Sequence, residues 1–130
     1  MLVPQNLLPG VLSGAITVLF RDAPEGSRYP MRTGEQNVVA VSGKGNTCNR
    51  HFGVSNVQRC YRKYLGDLTL DDVIHAGYQS LDEFREEWQQ HKQWSDTDRI
   101  YVIEFEMLLL KRPGRQYLKE LGIKAPKFER

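Results

Sequence analysis

The sequence has 130 residues, of which 40% are hydrophobic and 26% are charged, with a formal net charge of +2. This length suits one domain, and the hydrophobic fraction is sufficient for a buried core. No apolar run approaches the roughly 20 residues that a membrane-spanning helix needs. The amino-terminal residues also lack the basic start and long apolar stretch of a signal peptide. We therefore predict a cytoplasmic protein with no membrane association.

The first half of the chain has the composition of strands separated by loops. A short helix or turn is expected over residues 5–12. Strands are predicted at residues 17–21, 37–42 and 56–64, where β-branched and aromatic residues are frequent. The glycine-bearing segment 43–53 reads as a loop between the last two of these strands.

Helical signals follow residue 68. Thr69 precedes Asp72 by three positions, and Ser80 precedes Glu83 in the same way, which is the spacing of a capping box. Gly77 is expected to end the first of these helices, and the second is predicted to extend to about residue 92. The second helix has one apolar stripe at the spacing of a buried face. That stripe consists of Leu81, Phe84 and Trp88.

Residues 99–107 return to the alternation of a strand, and residues 115–121 read as a last short helix. Strands followed by short helices and a closing strand indicate an α+β fold. We predict a domain over residues 1–110 and a basic carboxy-terminal extension over residues 111–130, comprising a short helix and a tail. The sequence does not specify an oligomeric state.

The small net charge conceals a strong segregation of charge along the chain. Residues 41–66 contain five basic residues and no acidic ones, residues 67–106 contain eleven acidic and three basic ones, and residues 107–130 contain seven basic and two acidic ones. Blocks of this kind predict one basic and one acidic surface. A fold that brings the two signs together is the alternative.

Cys48, His51 and Cys60 resemble a set of metal ligands, because Cys48 and His51 are three positions apart and Cys60 could be a third ligand. A closed zinc site needs four ligands, however, and no second close pair is present. We therefore predict free thiols, no metal and no cofactor.

Three segments together resemble the ASCH family. The first is residues 12–21, where Gly14 and Arg21 have the spacing of the family motif Gly-x-Lys-x-x-(Glu/Thr)-x-Arg. The second is residues 65–84, which resemble an acidic helix, a Gly-aromatic turn and a Ser-Leu-x-Glu-Phe helix in that order. The third is the strand at residues 101–105. The resemblance covers about residues 7–108 and implies a small PUA-like β-barrel of five or six strands with short helices packed outside.

The same resemblance implies a cleft beside the first barrel strand that binds RNA or a nucleoside. Some family members are hydrolases that cut an acyl amide from a modified cytidine with the motif lysine, the motif threonine and a glutamate. At those positions this sequence has Ile16, Leu19 and, in a looser alignment, Gly77. Aliphatic side chains cannot transfer a proton, so we expect no hydrolysis of N-acylated cytidine. The predicted cleft-lining residues are Gly14, Thr17, Leu19 and Ser42.

Nucleic-acid binding, with single-stranded RNA or DNA as partner, is the function that we predict first. Clustered Lys and Arg bind phosphates, and bases stack on aromatic or guanidinium faces. The predicted nucleic-acid-binding residues are Arg21, Lys44, Arg50, Arg59, Tyr61, Arg62 and Lys63.

Two alternatives stay open. One is a small hydrolase of a modified nucleoside or related molecule, for which Arg21, Thr17, Ser42, Asp71 and Asp72 are the residual candidates. The other is a protein-interaction module that uses the acidic face of the second helix, although such a face is usually only solvated.

Overall fold

The computed structural model describes residues 1–41 and 50–128. Its strands are β1 (Leu2–Val3), β2 (Val18–Asp22), β3 (Gln36–Val41), β4 (Gly53–Tyr64) and β5 (Arg99–Leu110). Its helices are α1 (Leu8–Ser13), α2 (Leu70–His75), α3 (Leu81–Gln89) and α4 (Arg112–Glu120), with 3-10 turns at Gln5–Leu7 and Leu65–Asp67. The predicted α+β class is confirmed. Within the described ranges, no helix has the length and apolar character needed to cross a membrane.

The five strands form one mixed sheet in the order β1-β3-β4-β5-β2. β1 pairs with β3 in parallel, and the other pairs are antiparallel. The ladder between β4 and β5 has register shifts at Val54/Ser55 and Val57/Arg59. Such bulges bend a strand and increase its twist, so they curve the sheet at its centre.

The curvature brings the two edges of the sheet towards each other. Val3 and Val41 at one edge and Leu19 at the other lie in the same hydrophobic core. The guanidinium of Arg21 in β2 donates a hydrogen bond to the carbonyl of Leu2 in β1. Among the described residues, β1 and β2 are not paired as strands. The two edges are instead joined by this hydrogen bond and by the shared hydrophobic core.

Both faces of the sheet are buried at its centre. The inner face contributes Ile103 and Phe105 to the core that also contains α1 and α4. The outer face contributes Ile100 and Val102 to a second core under α2 and α3. This double burial explains why β5 is almost continuously buried rather than alternating between core and solvent.

The predicted stripe of α3 is partly wrong. Phe84 is only 4% exposed and Trp88 is half-buried, but Leu81 is 39% exposed. Leu81 is the first residue of the helix, and the place beside Phe84 is taken instead by Tyr78 from the preceding turn, with ring centroids 5.1 Å apart. The Thr69 hydroxyl accepts from the Asp72 amide and the Ser80 hydroxyl accepts from the Glu83 amide. The predicted capping box is complete only at Thr69, because the Glu83 carboxylate accepts from the Gln79 amide instead of the Ser80 amide.

Several boundaries differ from the sequence prediction. Gly53 is the first residue of β4 and does not belong to the preceding loop. A glycine is required there, because a Cβ would lie 2.6 Å from the carbonyl oxygen of Leu109 on β5. β1 was not predicted, and α4 begins at Arg112 rather than at residue 115. The predicted loop at residues 43–49 lies outside the described residues. The division of the chain at residue 110 stays a prediction.

Candidate functional site

A cleft of about 200 Å³ runs beside β2, between the edge of the sheet and the segment from α2 to α3. Its wall is formed mainly by Leu19, Phe20, Arg21, Tyr78, Phe84 and Trp88. β2 supplies three of these residues and the helical segment supplies the other three. The cleft therefore lies at the edge of the sheet where β2 pairs with β5 alone, and Pro4 and Leu7, which follow β1, also line it.

Aromatic rings dominate the cleft. Phe84 lies at their centre, with its ring centroid 5.0 Å from that of Phe20 and 6.1 Å from that of Trp88. Gly77, with φ of +98°, ends α2 in a left-handed conformation and directs the chain into Tyr78. Phe20, Tyr78 and Trp88 are each only partly buried, so ring surface remains available inside the cleft.

Arg21 provides the cationic group of the cleft. None of the ion pairs among the described residues includes it. Its guanidinium is half-buried, and burial lowers the pKa of Arg21 from its ordinary value. The guanidinium nevertheless keeps its charge, because arginine is not deprotonated in proteins. The cleft thus holds a positive charge without a carboxylate partner, beside apolar ring surface.

Hydrogen-bonding groups complete the cleft wall. Burial, followed by a hydrogen bond to Glu87, raises the pKa of Tyr78, so its hydroxyl stays protonated and donates to that carboxylate. Glu87 also lines the cleft, as does the exposed imidazole of His91. These groups give the apolar cleft a polar rim.

The backbone of β2 adds further donors and acceptors. The Ala23 amide donates to the Arg99 carbonyl, and the Phe105 amide donates to the Thr17 carbonyl, so the odd-numbered residues of β2 face β5. Because antiparallel strands alternate, the N–H and C=O groups of Val18 and Phe20 point to the outer edge. Both residues line the cleft.

A second, polar cleft of about 250 Å³ lies between β4 and α2. It is lined by Thr17, Gln58, Tyr61, Asp71, Asp72, His75 and Glu104, among others. The imidazole Nδ1 of His75 lies 2.8 Å from the carbonyl oxygen of Asp71. Among the described residues, no hydrogen bond joins the Thr17 hydroxyl to this imidazole.

Two of the predicted nucleic-acid-binding cations are paired with carboxylates around this second cleft. Lys63 Nζ lies 2.7 Å from Asp72 Oδ2. Arg59 lies 3.7 Å from Glu104 Oε2, and its guanidinium is 4.1 Å from the centroid of the Tyr61 ring. The basic and acidic blocks of the sequence therefore meet in the fold, as the alternative reading allowed.

The pairing of Lys63 changes the titration of its partner. Burial of the Asp72 carboxyl opposes ionisation, but hydrogen bonds from Lys63 and from Thr69 outweigh this effect and lower the pKa of Asp72. The same carboxylate accepts from the Thr69 amide at 2.9 Å and so completes the capping box of α2. Asp72 is consequently a structural group in this arrangement.

We expect Asp72→Asn to lower the free energy of unfolding by about 1 kcal/mol at neutral pH. Because the pKa of Asp72 is lower in the folded than in the unfolded chain, the stabilisation is complete above about pH 5 and is lost as the pH falls through the folded pKa. Urea unfolding at neutral and acidic pH measures this, and the two proteins should converge in acid. A difference of the same size at both pH values would contradict the role assigned to this carboxylate.

The other predicted basic residues lie in different surroundings. Arg62 is on the inner face of the sheet, with its guanidinium 4.7 Å from the Tyr29 ring centroid and 5.8 Å from that of Tyr101. Arg50 is exposed and borders a cleft with Arg112 at the start of α4. The predicted basic segment is thus divided among three surfaces.

The predicted cleft-lining residues are also dispersed. Leu19 borders the first cleft but is only 2% exposed, and Thr17 lines the second cleft. Gly14 ends α1 with φ of +85° and lies against the ring of Phe128. Ser42 and Lys44 lie outside the described residues.

The sequence reading missed Tyr78 and Trp88 as site residues. Trp88 was assigned to the buried stripe of α3, and Tyr78 to a turn. The sequence did contain an indication of their role. The segment 78–94 has more aromatic residues than the buried face of one helix requires, namely Tyr78, Phe84, Trp88 and Trp94.

Metal-binding residues do not cluster in residues 1–41 and 50–128, where no group of three or more His, Cys, Asp or Glu side chains could hold an ion. Cys60 is a free, half-buried thiol. Cys48 of the considered ligand set lies outside the described residues.

Comparison with solved structures identifies the fold. An ASCH domain from Lactobacillus crispatus JV V101 is similar with a TM-score of 0.62 and 11% identity, over 78% of this chain and 70% of that one. A protein from Enterococcus faecalis V583, described by the family name DUF984, gives a TM-score of 0.59 and 14% identity over 82% and 72% of the two chains. The ASCH protein of Zymomonas mobilis gives 0.56 and 9% over 100% and 85%.

The chain has an ASCH-domain fold. The likeness is structural, because no family model matches the sequence and no curated protein matches it. The resemblance inferred from three sequence segments is confirmed at the level of the fold.

Ile16 and Gly77, which the sequence resemblance aligns with the motif lysine and, more loosely, with the glutamate, lie next to each other. Ile16 is 7% exposed. A Cβ added to Gly77 would lie only 2.8 Å from Cδ1 of Ile16. Ile16 fills this space against Gly77, and neither residue has a titratable group.

Proposed function

We propose that this protein binds single-stranded nucleic acid and holds one base in the cleft beside β2, with Arg21 on the adjoining phosphate. The observation that carries the proposal is that one cleft has accessible aromatic rings and an arginine whose guanidinium, held by the Leu2 carbonyl, is in none of the ion pairs of the described residues. Recognition of unpaired nucleotides uses this combination, because rings stack on bases while guanidinium groups bind phosphates.

The size of the cleft supports a single ring as its occupant. Pockets that enclose drug-sized ligands have volumes of about 300–1,000 Å³, whereas this cleft has about 200 Å³. Trp88 and Tyr78 offer the ring surface for stacking. The outward N–H and C=O groups of Val18 and Phe20 offer a donor and an acceptor to the hydrogen-bonding edge of a base.

The basic segment has a smaller part in this proposal than its composition suggested. A phosphate that bound Arg59 or Lys63 would compete with Glu104 or Asp72 for the same cation. The counterions released on binding are correspondingly fewer. Arg21 has no such competitor among the ion pairs of the described residues.

The geometry gives less support to the two alternatives. A hydrolase needs a titratable group at the reacting atoms, and Ile16 and Leu19 have none. A docking role for the acidic face of α3 is weakened because Glu83 accepts a hydrogen bond from the Gln79 amide at 3.1 Å and Glu87 accepts one from Tyr78.

Arg21→Gln is expected to weaken binding of a labelled single-stranded oligonucleotide about tenfold, the loss of one charge-assisted contact. The slope of log affinity against log salt should become shallower by about 0.7, because one phosphate contact is lost. Titrations of RNA and DNA of the same sequence at low and moderate salt measure both quantities and show whether the 2′-hydroxyl matters.

The matched control is Arg59→Gln, which removes an arginine of the same sheet that is already paired with Glu104. We expect less than about a twofold change for this variant, in line with the small net value of exposed ion pairs. Equal losses in the two variants, or no binding by the unaltered protein at low salt, would refute the cleft as the binding site.

A further inference from the structure

A second arginine lies across the sheet from Arg21. In the strand register, Arg21 of β2 and Arg62 of β4 are both opposite Tyr101 of the intervening β5. Residues opposite one another share a face of the sheet, so all three side chains start from the inner face in one row. Two inter-strand spacings separate the arginine backbones by about 10 Å.

Two tyrosines hold Arg62 in place. Its guanidinium lies over the Tyr29 ring at 4.7 Å, and the Tyr29 ring packs against Tyr101 at 5.3 Å. The Tyr101 hydroxyl is in turn 2.7 Å from the Ser27 hydroxyl, in the same loop as Tyr29. Tyr29 is nevertheless 50% exposed. The loop therefore exposes the Tyr29 ring to solvent while the same ring holds the Arg62 guanidinium in place.

Arg62 has no acidic partner among the residues that the structure describes. The ion pairs of the described residues do not include it, and its Nε is buried without a hydrogen-bond acceptor. Arg28 and Arg32, in the same loop, are exposed and also absent from those pairs. Of the nearby acids, Glu35 accepts a hydrogen bond from Asn37. The positive charge of this surface is therefore not neutralised by ion pairs, in contrast to the charges of Arg59 and Lys63, which are paired with carboxylates.

We propose that Tyr29 and Arg62 form a second nucleotide position, which rests on the proposed function of the cleft. The nucleotide next to the one in the cleft stacks on the exposed face of Tyr29, and its phosphate binds Arg62. Charge complementarity favours a polyanion, and the exposed ring favours one with bases. Tyr101, between Arg21 and Arg62, is only 2% exposed, so a strand bound to both arginines would cross outside the loop that carries Ser27 and Tyr29.

The test compares a nucleoside monophosphate with a trinucleotide of the same base, each titrated against the unaltered protein and against Tyr29→Ala. The trinucleotide should bind more tightly than the monophosphate, and Tyr29→Ala should weaken only the trinucleotide, by at least about fivefold. Tyr29→Phe, which keeps the ring, should restore the affinity. Arg62→Gln should make the salt dependence of trinucleotide binding shallower.

Tyr64→Ala is the matched control, since Tyr64 is 48% exposed and also lies on β4. It should leave both affinities unchanged. Equal affinities for the two ligands would overturn the second position while leaving the cleft intact, and equal losses of both in Tyr29→Ala would show that Tyr29 does not form a separate position. Trinucleotide binding that depends on Tyr29 but not on Arg21 would instead support this position and overturn the cleft.

Discussion

Phe84→Ala is expected to lower the free energy of unfolding by about 3–5 kcal/mol, as for other buried aromatic residues. Phe84 is 4% exposed and is the shared contact of a ring cluster. Its centroid lies 5.0–6.1 Å from those of its neighbours, which are Phe20, Tyr78, Trp88 and Trp94. Truncation removes these contacts and leaves a cavity under α3, which the surrounding rings can fill only in part. Urea or guanidinium unfolding gives the value directly.

Leu81→Ala provides the comparison on the same helix. The sequence stripe gives Leu81 and Phe84 equal importance, whereas the structure leaves Leu81 39% exposed. We expect its truncation to change stability by less than about 1 kcal/mol, the usual range for surface sites. Comparable losses for Leu81→Ala and Phe84→Ala would mean that α3 packs on a different face from the one described.

Features encoded by neighbouring residues were predictable. The Thr69 hydroxyl accepts from the Asp72 amide at 3.2 Å, and the Ser80 hydroxyl accepts from the Glu83 amide at 3.0 Å. Each contact spans three residues, so a sequence window contains all that determines it. Gly77 likewise has the positive φ that its position after α2 required.

Features that depend on distant pairing were not predictable. β1 has two residues, and its pairing with β3 joins Val3 to Val41. No pattern of two residues identifies a strand. The burial of Leu19 on the inner face and Val18 on the outer face likewise follows from two cores meeting at β2, whereas alternation along the sequence suggests only one buried face.

The charge pattern shows the same limit for the candidate site. A block of basic residues is visible in the sequence, but the partner of each cation depends on the strand register. Arg59 lies opposite Glu104 in the β4–β5 ladder and is paired with it, while Arg62 lies opposite Tyr101 and is not paired with an acid. A phosphate should therefore bind most favourably at cations that have no carboxylate partner, and the local number of basic residues does not identify them.

Gly114→Ala is expected to destabilise the protein by about 3 kcal/mol, at the upper end of over-packing effects, because the obstacle is main chain. Gly114 is buried where α4 meets the segment before β4, and an added Cβ would overlap the carbonyl oxygen of Phe52. The higher helix propensity of alanine, about 1 kcal/mol, opposes this loss but is smaller. Relief of the overlap requires α4 to move, which would disturb the fully buried Leu118 and the contact between the Tyr117 and Phe52 rings at 5.7 Å.

Gln116→Ala is the control for Gly114→Ala, since it changes an exposed residue of the same helix and should alter stability by less than about 0.5 kcal/mol. The pair also tests the predicted division of the chain at residue 110. If residues 111–130 are an appended extension, Gly114→Ala should leave the main unfolding transition of the strands unchanged and affect only a separate, local one. If α4 belongs to the main core, as the position of Leu118 in that core favours, a single transition should shift to lower denaturant concentration as a whole. Circular dichroism and tryptophan fluorescence, followed in the same titration, distinguish the two results, because Trp88 and Trp94 report the opposite side of the sheet from α4.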